Sequence, residues 1–555
     1  MTRADRLFDA LSALLVAVLL ALMLATFLDY GITVDEPVQN RYGNRLLRWY
    51  HTFGADRAAV EQNDTAYYGG LFELAAKGAE AVSPLGLYET RHLVNALVGF
   101  TGVLAALWMG RRLAGPAGGL LATVMIAATP AFYGQCFNNP KDLPFASLWA
   151  LAAAALMSLG LDRLPGPGWR VLARLLGAGA LVGLAAAVRV AGLALLGFAG
   201  LAWLVSLWAE RRRVVHPSRP LWRDLGRVFL DLAIVTSTAW LVMVLFWPYA
   251  QLDPFGNPFE AFHAFSHYWN PVAVEYAGVL TTSDEVGRFY MPRLFAITLP
   301  ESYLVAAVMG LWRVATVLRH APLPEETWSK LHHFGWLLTV TLLPLLWAVV
   351  AGTPFYNGSR HLLFVVPGLA ALAGVSAAWW LRSPLPVAAR ATGALLLAGT
   401  VFLTVRDMAE LHPYESVYFN RLLGGGLARA GRLYDTDYWC QSYKDGIDWI
   451  VREYSRPGLE RVKVAGHSVL PQIAYYLEKD EVLRRRFKAV TGNDQPHLVL
   501  ATTSTHDDQR TPGRVVHVVE RQGLPLLKVF EVRPPGPAEP TTEPVAPPAE
   551  PTAGR

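Results

Sequence analysis

Long apolar runs recur along most of this chain, and they limit what it can fold into. A helix needs about 20 apolar residues to cross a bilayer, and about eleven such runs precede residue 405. They lie at 7–29, 91–110, 115–134, 143–161, 171–189, 191–209, 228–249, 293–312, 334–352, 361–381 and 386–405. Hydrophobic residues make up 53% of the chain and charged residues only 17%, which is too apolar for one soluble domain. The sequence therefore predicts an α-helical polytopic membrane protein.

Basic residues lie mainly in the short loops between these runs. If the N-terminus starts in the cytoplasm, Arg111, Arg163, Arg211, Arg319 and Arg382 all fall inside, as the positive-inside rule requires. Membrane orientation thus explains the net charge of +5, and no nucleic-acid partner is expected. The same alternation puts the C-terminus outside, together with the loops at 30–90, 135–142, around 190, 250–292 and 353–360.

The composition changes after residue 405 to that of a soluble domain. Residues 1–405 are predicted to form the membrane domain, 406–533 a small α/β domain outside the membrane, and 534–555 a disordered Pro-rich tail. In the second domain, helices are predicted at 442–454 and 470–477, and strands at 461–465, 497–502, 515–520 and 526–532. Cys136 and Cys440 are the only cysteines. They make no disulfide framework or thiolate metal site, and their pairing stays open.

An acidic pair, Asp35 and Glu36, follows the first apolar run. Two adjacent acids at the outer end of a membrane helix can be reached by both a lipid headgroup and a water-borne acceptor. Apolar residues at helical spacing follow in the same loop and predict helices that lie in the interface plane. The acids could equally cap a helix beginning at Pro37, because acidic side chains stabilise a helix N-terminus. Bond chemistry and helix capping are both open at this point.

Further polar and ionisable residues gather in the other outer loops. Those of interest are Asn139, Lys141, Asp142, Arg189, Arg360 and His361. With the acidic pair they suit a lipid-phosphate sugar donor. Sugar transfer needs a carboxylate to take the proton of the attacking hydroxyl, and cations to stabilise the departing phosphate. Local ion pairing, helix-start anchoring and snorkelling to headgroups are the alternatives for the cations.

These residue types lead to specific roles. Asp35 is the predicted base, and Glu36 would orient the acceptor or tune the base. The predicted donor-phosphate partners are Arg189, Lys141, Arg360 and His361. The predicted acceptor contacts are Asn139, Asp142, Tyr438 and Trp439, although packing of the second domain would also account for the last two. Carboxylates at Asp35, Glu36 and Asp142 could hold Mg²⁺ or Mn²⁺, but such sites have no reliable spacing signature. No other cofactor is expected.

The chain resembles the polytopic glycosyltransferases of the GT-C fold, in particular glycosyltransferase family 39, which includes protein O-mannosyltransferases and the lipid A aminoarabinose transferase. The likeness covers roughly residues 7 to 405. The segments that carry it are Asp35-Glu36, Asn139-Pro-Lys-Asp142, Arg360-His-Leu-Leu-Phe364, and the stretch from His412-Pro-Tyr to Asp437-Tyr-Trp439. Two departures stand out. No aromatic-flanked histidine occurs in Pro37-Val-Gln-Asn40, which argues against protein mannosylation, and no large β-trefoil insertion separates the spans.

The resemblance implies a catalytic base at Asp35, a polyprenyl-phosphate-linked sugar donor and inversion at the anomeric carbon. It also implies transfer to a glycan, lipid or protein at the outer face of a bacterial inner membrane. The alternative is a membrane transporter or flippase of a lipid-linked or small solute. That function requires ionisable groups at mid-membrane depth, whereas the apolar runs carry few: Asp231 lies near the start of the run at 228–249, and Glu301 lies within the run at 293–312.

Overall fold

The computed structural model of the chain describes residues 2–61, 63–159, 168–213, 220–267, 271–319, 325–454, 461–467 and 469–532. The tail predicted at 534–555 and the inner-loop residue Arg163 lie outside the described residues.

Helices make up most of the chain up to residue 430. In chain order they are α1 (Arg3–Thr26), α2 (Asp35–His51), α3 (Asn63–Ala66), α4 (Leu71–Glu80), α5 (Leu87–Ala127), α6 (Pro130–Asn138), α7 (Asp142–Leu159), α8 (Gly168–Ala186), α9 (Ala194–Arg213), α10 (Leu221–Leu245), α11 (Pro248–Leu252), α12 (Gly256–Ser266), α13 (Tyr290–Thr298), α14 (Glu301–Leu318), α15 (Glu325–Ala351), α16 (Val366–Leu381), α17 (Val387–Leu411) and α18 (Leu427–Ala430). Short 3₁₀ segments lie at Val190–Leu193, Arg360–Val365 and Glu415–Val417.

The remaining elements are strands and the short helices between them. A hairpin of β1 (Ala273–Tyr276) and β2 (Val279–Thr282) lies between α12 and α13. The last part of the chain contains α19 (Tyr443–Glu453), β3 (Val462–Gly466), α20 (Leu470–Leu477), α21 (Glu481–Arg486), β4 (Phe487–Ala489), β5 (Leu498–Thr502), α22 (Asp507–Arg510), β6 (Arg514–Arg521) and β7 (Leu524–Glu531). We call the part from α19 to β7 the sheet domain.

Nine of the described helices are long and apolar enough to cross a membrane, or ten if the bent pair α13 and α14 counts as one span. The predicted fold class, an α-helical polytopic membrane protein with a small α/β domain, is confirmed. The count differs from the predicted eleven because 91–110 and 115–134 fall largely in the single element α5. Its backbone reverses at Gly115, where φ is +67°. Gly110 and Gly118 then lie so close that a Cβ on either would sit 2.5 Å from the other's carbonyl oxygen.

Small residues allow other helices of the bundle to approach closely as well. Gly179 and Gly183 of α8 face α10, and a Cβ at Gly183 would lie 2.5 Å from the carbonyl oxygen of Ala239. Gly374 of α16 likewise meets the backbone of Ala122 in α5. In a bilayer, where apolar contact with lipid competes with apolar contact between helices, such close backbone approach is a main source of helix association.

The sheet domain follows the sequence prediction closely. Its strand order is β4-β3-β5-β7-β6, with β3 parallel to β4 and β5, and β7 antiparallel to β5 and β6. The predicted helices and strands correspond to α19, α20, β3, β5, β6 and β7. The three-residue strand β4 and the short helices α21 and α22 were not predicted, because such short segments carry no clear periodic pattern.

The sheet domain packs on the end of the bundle at which α2 begins, which we call the site end. The hydroxyl of Tyr476 in α20 accepts a hydrogen bond from the backbone N–H of Ile32, shortly after α1, over 2.9 Å. The β1–β2 hairpin reaches the same region, where Tyr276 bridges to Tyr434 and the guanidinium of Arg293 lies over both rings. Cys136 and Cys440 are both free.

A buried ionic network joins α4 to the start of α5. The guanidinium of Arg91, 1% exposed, contacts Glu73 at 2.5 Å and Glu80 at 3.1 Å. Lys77 contacts Glu80 at 2.7 Å. These pairs tie the interface helices of the α1–α5 connection to the bundle and so support α2, which packs on α4.

Replacing Arg91 by glutamine is expected to destabilise the protein by about 3–5 kcal/mol, because it leaves buried carboxylates without their cation. The measurement is the midpoint of thermal unfolding in lipid nanodiscs. The matched control is Arg48→Gln, whose partner Asp56 is 3.4 Å away and whose own side chain is 58% exposed. An exposed pair contributes only about 0–1 kcal/mol. Equal midpoints for the two variants would contradict the prediction.

Candidate active site

The acidic pair begins helix α2, and its two carboxylates face different surroundings. Glu36 accepts hydrogen bonds from the backbone N–H of Thr33 at 2.8 Å and from its hydroxyl at 3.2 Å. Its other oxygen lies 3.0 Å from Nε2 of His92. Both carboxylate oxygens of Glu36 therefore have partners within the protein, and the residue is buried, whereas the side chain of Asp35 is 24% exposed. Of the two acids, only Asp35 has a carboxylate that a substrate can reach.

Asp35 is paired with Lys141, whose ammonium lies 2.9 Å from Oδ2 of Asp35. Burial alone would raise the pKa of Asp35, but the charges of Lys141 and Arg360 outweigh it and hold the pKa below its ordinary value. Burial would lower the pKa of Lys141, and the opposing effect of Asp35 raises it instead. Both groups are therefore charged at neutral pH.

A second carboxylate, Asp142, holds two arginines. Its Oδ2 accepts a hydrogen bond from Nη1 of Arg360 at 3.0 Å, and its Oδ1 contacts Arg189. Asn139 caps the start of α7: its side-chain oxygen accepts from the backbone N–H groups of Lys141 at 3.2 Å and Asp142 at 2.8 Å. This short turn thus places Lys141 toward one carboxylate and Asp142 toward two cations.

Aromatic rings surround the three cations. Tyr68 lies under both Lys141 and Arg189, with 5.2 and 5.6 Å between each charge and the ring centroid. The guanidinium of Arg360 lies 5.1 Å from the ring of Tyr356 and 5.2 Å from that of Trp439. Such rings attract cations and exclude water, so the charges act in surroundings less screened than bulk solvent.

The structure brings most of the predicted site residues into one cluster. Its members are Asp35, Asn139, Lys141, Asp142, Arg189, Arg360 and Trp439. Tyr438 packs edge-on against Trp439 at 5.2 Å, and His361 packs on Tyr356 at 4.7 Å, so both lie at its border. Glu36 stands apart, turned toward His92. Sequence reasoning missed Tyr68, Tyr356 and His92, because aromatic residues near span ends are common whatever their function.

A further carboxylate, Asp435, lies beside the cluster. It accepts a hydrogen bond from the backbone N–H of Glu275 at 3.0 Å. Burial raises its pKa to about 7, so it changes charge near neutral pH. With Tyr290 and Tyr438 it lines a cavity of about 30 Å³, which is large enough for a water molecule. The predicted site did not include Asp435.

The carboxylates do not form a ligand set for Mg²⁺ or Mn²⁺. Asp35 opposes Lys141, Asp142 opposes two arginines, and Glu36 is bound by Thr33 and His92. Among the residues that the structure describes, no three histidine, cysteine, aspartate or glutamate side chains are grouped so that they could hold a metal ion. These three side chains therefore do not fit the divalent metal that the sequence left possible.

No family model matches this sequence, and no curated protein matches it. Among solved structures, the chain is similar in fold to ArnT from Cupriavidus metallidurans bound to undecaprenyl phosphate, with 15% identity and a TM-score of 0.45 over 95% of this chain and 99% of ArnT. It is also similar to the Archaeoglobus fulgidus oligosaccharyltransferase in the apo form, with 11% identity and a TM-score of 0.48 over 88% of this chain and 65% of that protein.

Proposed function

We propose that this protein is an integral-membrane glycosyltransferase. It transfers a sugar from a polyprenyl-phosphate-linked donor to an extracytoplasmic acceptor, which is a lipid, a glycan or a protein, and it inverts the anomeric carbon. Asp35 is the base. Lys141, Arg189 and Arg360 bind the donor phosphate.

The net charge of the cluster is the main support for this proposal. Three cations, Lys141, Arg189 and Arg360, oppose the two carboxylates Asp35 and Asp142, which leaves one positive charge in excess. A sugar joined to a polyprenol through one phosphate carries a single negative charge. Burying a charge without a partner costs several kcal/mol, so a cluster with one surplus cation suits a ligand with one negative charge.

The reaction follows from the positions of these groups. The acceptor's hydroxyl oxygen attacks the anomeric carbon and forms the new glycosidic bond, while its proton passes to Asp35. The bond between the anomeric carbon and the phosphate oxygen breaks, and its electron pair leaves with the phosphate. The three cations stabilise the charge that grows on the phosphate. A single displacement of this kind inverts the anomeric carbon.

In this reaction Lys141 can pair either with Asp35 or with the donor phosphate. Without a donor it pairs with Asp35 at 2.9 Å. A bound phosphate would draw the ammonium toward itself, and the pKa of Asp35 would then rise toward its ordinary value. Donor binding would in this way convert a weakly basic carboxylate into a better proton acceptor.

The distribution of basic residues supports an orientation in which the site end faces away from the cytoplasm. At the opposite end of the bundle, Arg111 pairs with Asp9 near the start of α1, and Arg382 donates to the carbonyl oxygen of Ala114 over 2.8 Å. These arginines lie at the end remote from Asp35, as the positive-inside rule expects of a cytoplasmic end.

The test is a donor panel with purified protein in lipid nanodiscs. Labelled sugars are supplied on undecaprenyl monophosphate or on undecaprenyl diphosphate, and release or transfer of the label is followed. The monophosphate donor is expected to react with a kcat/KM at least about tenfold higher, because a diphosphate brings an extra negative charge that the cluster does not balance. Reaction with the diphosphate donor alone would contradict the charge argument. No release from any donor by folded protein would overturn the proposed function.

A further inference from the structure

The segment that leads into Asp35 is held by residues from the last part of the chain. The backbone N–H of Ile32 donates to the hydroxyl of Tyr476 over 2.9 Å. The side-chain amide of Gln472 donates to the carbonyl oxygen of Thr33 over 3.2 Å. Ile32 and Thr33 are both buried, so water cannot readily replace these bonds. Tyr476 and Gln472 share one face of α20 in the sheet domain.

The turn that precedes the sheet domain contacts the same segment. The backbone N–H of Val34 donates to the carbonyl oxygen of Trp439 over 3.1 Å. Asp437 shapes this turn, because its carboxylate accepts from the backbone N–H groups of Gln441 at 3.0 Å and Ser442 at 2.9 Å. Trp439 thus has two contacts with the site, its ring against Arg360 and its carbonyl on the residue before Asp35.

Gly31 packs directly against the backbone of the turn that precedes the sheet domain. A Cβ at this position would lie 2.0 Å from the backbone oxygen of Gln441, so only glycine leaves room for the contact. On the bundle side, the side-chain amide of Asn138 donates to the carbonyl oxygen of Gly31 over 3.0 Å and to Oε1 of Gln441 over 3.1 Å. Farther back, Lys444 of α19 donates to the carbonyl oxygens of Leu28 at 2.7 Å and Asp29 at 3.0 Å.

We infer that the sheet domain positions the Asp35 carboxylate. Its residues Tyr476 and Gln472 hold residues 31–34, and this segment leads directly into Asp35. This inference rests on the proposed function, since it assigns Tyr476 and Gln472 as positioning residues for the proposed base. Asp35 is the first residue of α2, so its carboxylate moves with the segment that enters the helix. Three backbone groups of this segment, the N–H of Ile32, the carbonyl of Thr33 and the N–H of Val34, bond to Tyr476, Gln472 and Trp439.

Two adjacent tyrosines of α20 make a matched pair for the test. Tyr476 accepts from Ile32, whereas the hydroxyl of Tyr475 donates to Glu89 at the start of α5 over 2.5 Å. Both contacts join the sheet domain to the bundle, but only that of Tyr476 reaches the segment before Asp35. Tyr476→Phe and Tyr475→Phe each remove one hydroxyl and leave the ring, so a loss of domain docking alone would affect both variants alike.

The experiment measures kcat and donor KM of full-length wild type and both variants in nanodiscs, together with amide hydrogen exchange of peptides covering residues 30–36. Tyr476→Phe is expected to lower kcat about tenfold, with donor KM unchanged within about twofold, because only the base is displaced. Amide exchange at Ile32 should accelerate in this variant. Tyr475→Phe should change neither kcat nor the exchange of this segment.

A second variant, Gly31→Ala, tests the same segment through its contact with Gln441. The added methyl group must push the segment away from Gln441, and a displacement of about 1 Å can cost about 10²-fold in rate. Its kcat is expected to fall further than that of Tyr476→Phe, again with little change in donor KM. An unchanged kcat in Tyr476→Phe, or a rise in donor KM alone, would overturn the inference. A wild-type protein that releases no sugar would instead overturn the proposed function, so the two failures are distinguishable.

Discussion

Replacing Asp35 by asparagine is expected to reduce sugar transfer by about 10²- to 10⁴-fold, because an amide cannot take the acceptor's proton. Asparagine matches aspartate in size, and its side-chain oxygen can still accept a hydrogen bond from Lys141. The variant should therefore fold and bind the donor. The measurement is the initial rate of transfer from a labelled polyprenyl-monophosphate sugar, with donor binding followed separately. We expect the loss in kcat without a loss of donor affinity, because all three cations remain.

The matched control for this variant is Asp29→Asn. Asp29 lies in the same segment, but its half-exposed carboxylate contacts His412 at 3.0 Å and not the cation cluster. Its loss should leave the rate of transfer close to that of wild type. Full activity in Asp35→Asn would remove Asp35 from the mechanism. Equal losses in the two variants would point to a general disturbance of the segment and not to the loss of a base.

Replacing Lys141 by glutamine is expected to lower kcat/KM by about 10²- to 10³-fold, because one of three cations facing the departing phosphate is lost. The cluster would then carry no surplus positive charge. Donor KM should rise as well, since the donor is charged before the reaction and in the transition state. This sets Lys141→Gln apart from Asp35→Asn, in which kcat alone should fall. Steady-state kinetics with varied donor concentration check the difference.

The same substitution should shift the pH profile. Burial raises the pKa of Asp35, while Lys141 and Arg360 more than offset it and hold the pKa below its ordinary value. Without Lys141 the pKa of Asp35 rises, so on acidification the carboxylate takes up a proton at a higher pH. The acid limb of kcat/KM therefore moves to higher pH.

Lys141→Arg is the control for the pH profile because it keeps the positive charge next to Asp35. Its acid limb should stay near that of wild type, even if the changed shape of the cation lowers the rate. If the acid limb of Lys141→Gln coincides with that of wild type, the group that titrates in the reaction is not Asp35.

Local patterns were enough to predict most elements. The strands of the sheet domain are short segments rich in Val and Leu, and β3, β5, β6 and β7 were predicted to within about two residues. The apolar runs located the long helices, although with less exact bounds, and the single run at 293–312 proved to be the two helices α13 and α14. The bend of 102° between α13 and α14 was not predicted, although Pro300, which lies at the break, interrupts a helix. In α5, the separate runs predicted at 91–110 and 115–134 agree with the break at Ala114 and Gly115.

The site shows where local patterns stop being informative. Lys141, Asp142, Arg189 and Arg360 could be found because ionised groups are costly within a bilayer and stand out at the ends of apolar runs. Tyr68 and Tyr356 could not be singled out among 21 tyrosines. Tyr476 lies more than 400 residues from Ile32, so no sequence spacing relates the two.

By itself, the sequence determined that this is a helical membrane protein with a small α/β domain, and which ionisable residues stand at the span ends. The cost of charge in a bilayer and the periodicity of apolar residues are properties of short segments. Only the tertiary structure decided that Asp35 faces Lys141 while Glu36 faces His92. Neighbouring side chains on a helix point about 100° apart, so what each one meets depends on elements distant in the chain.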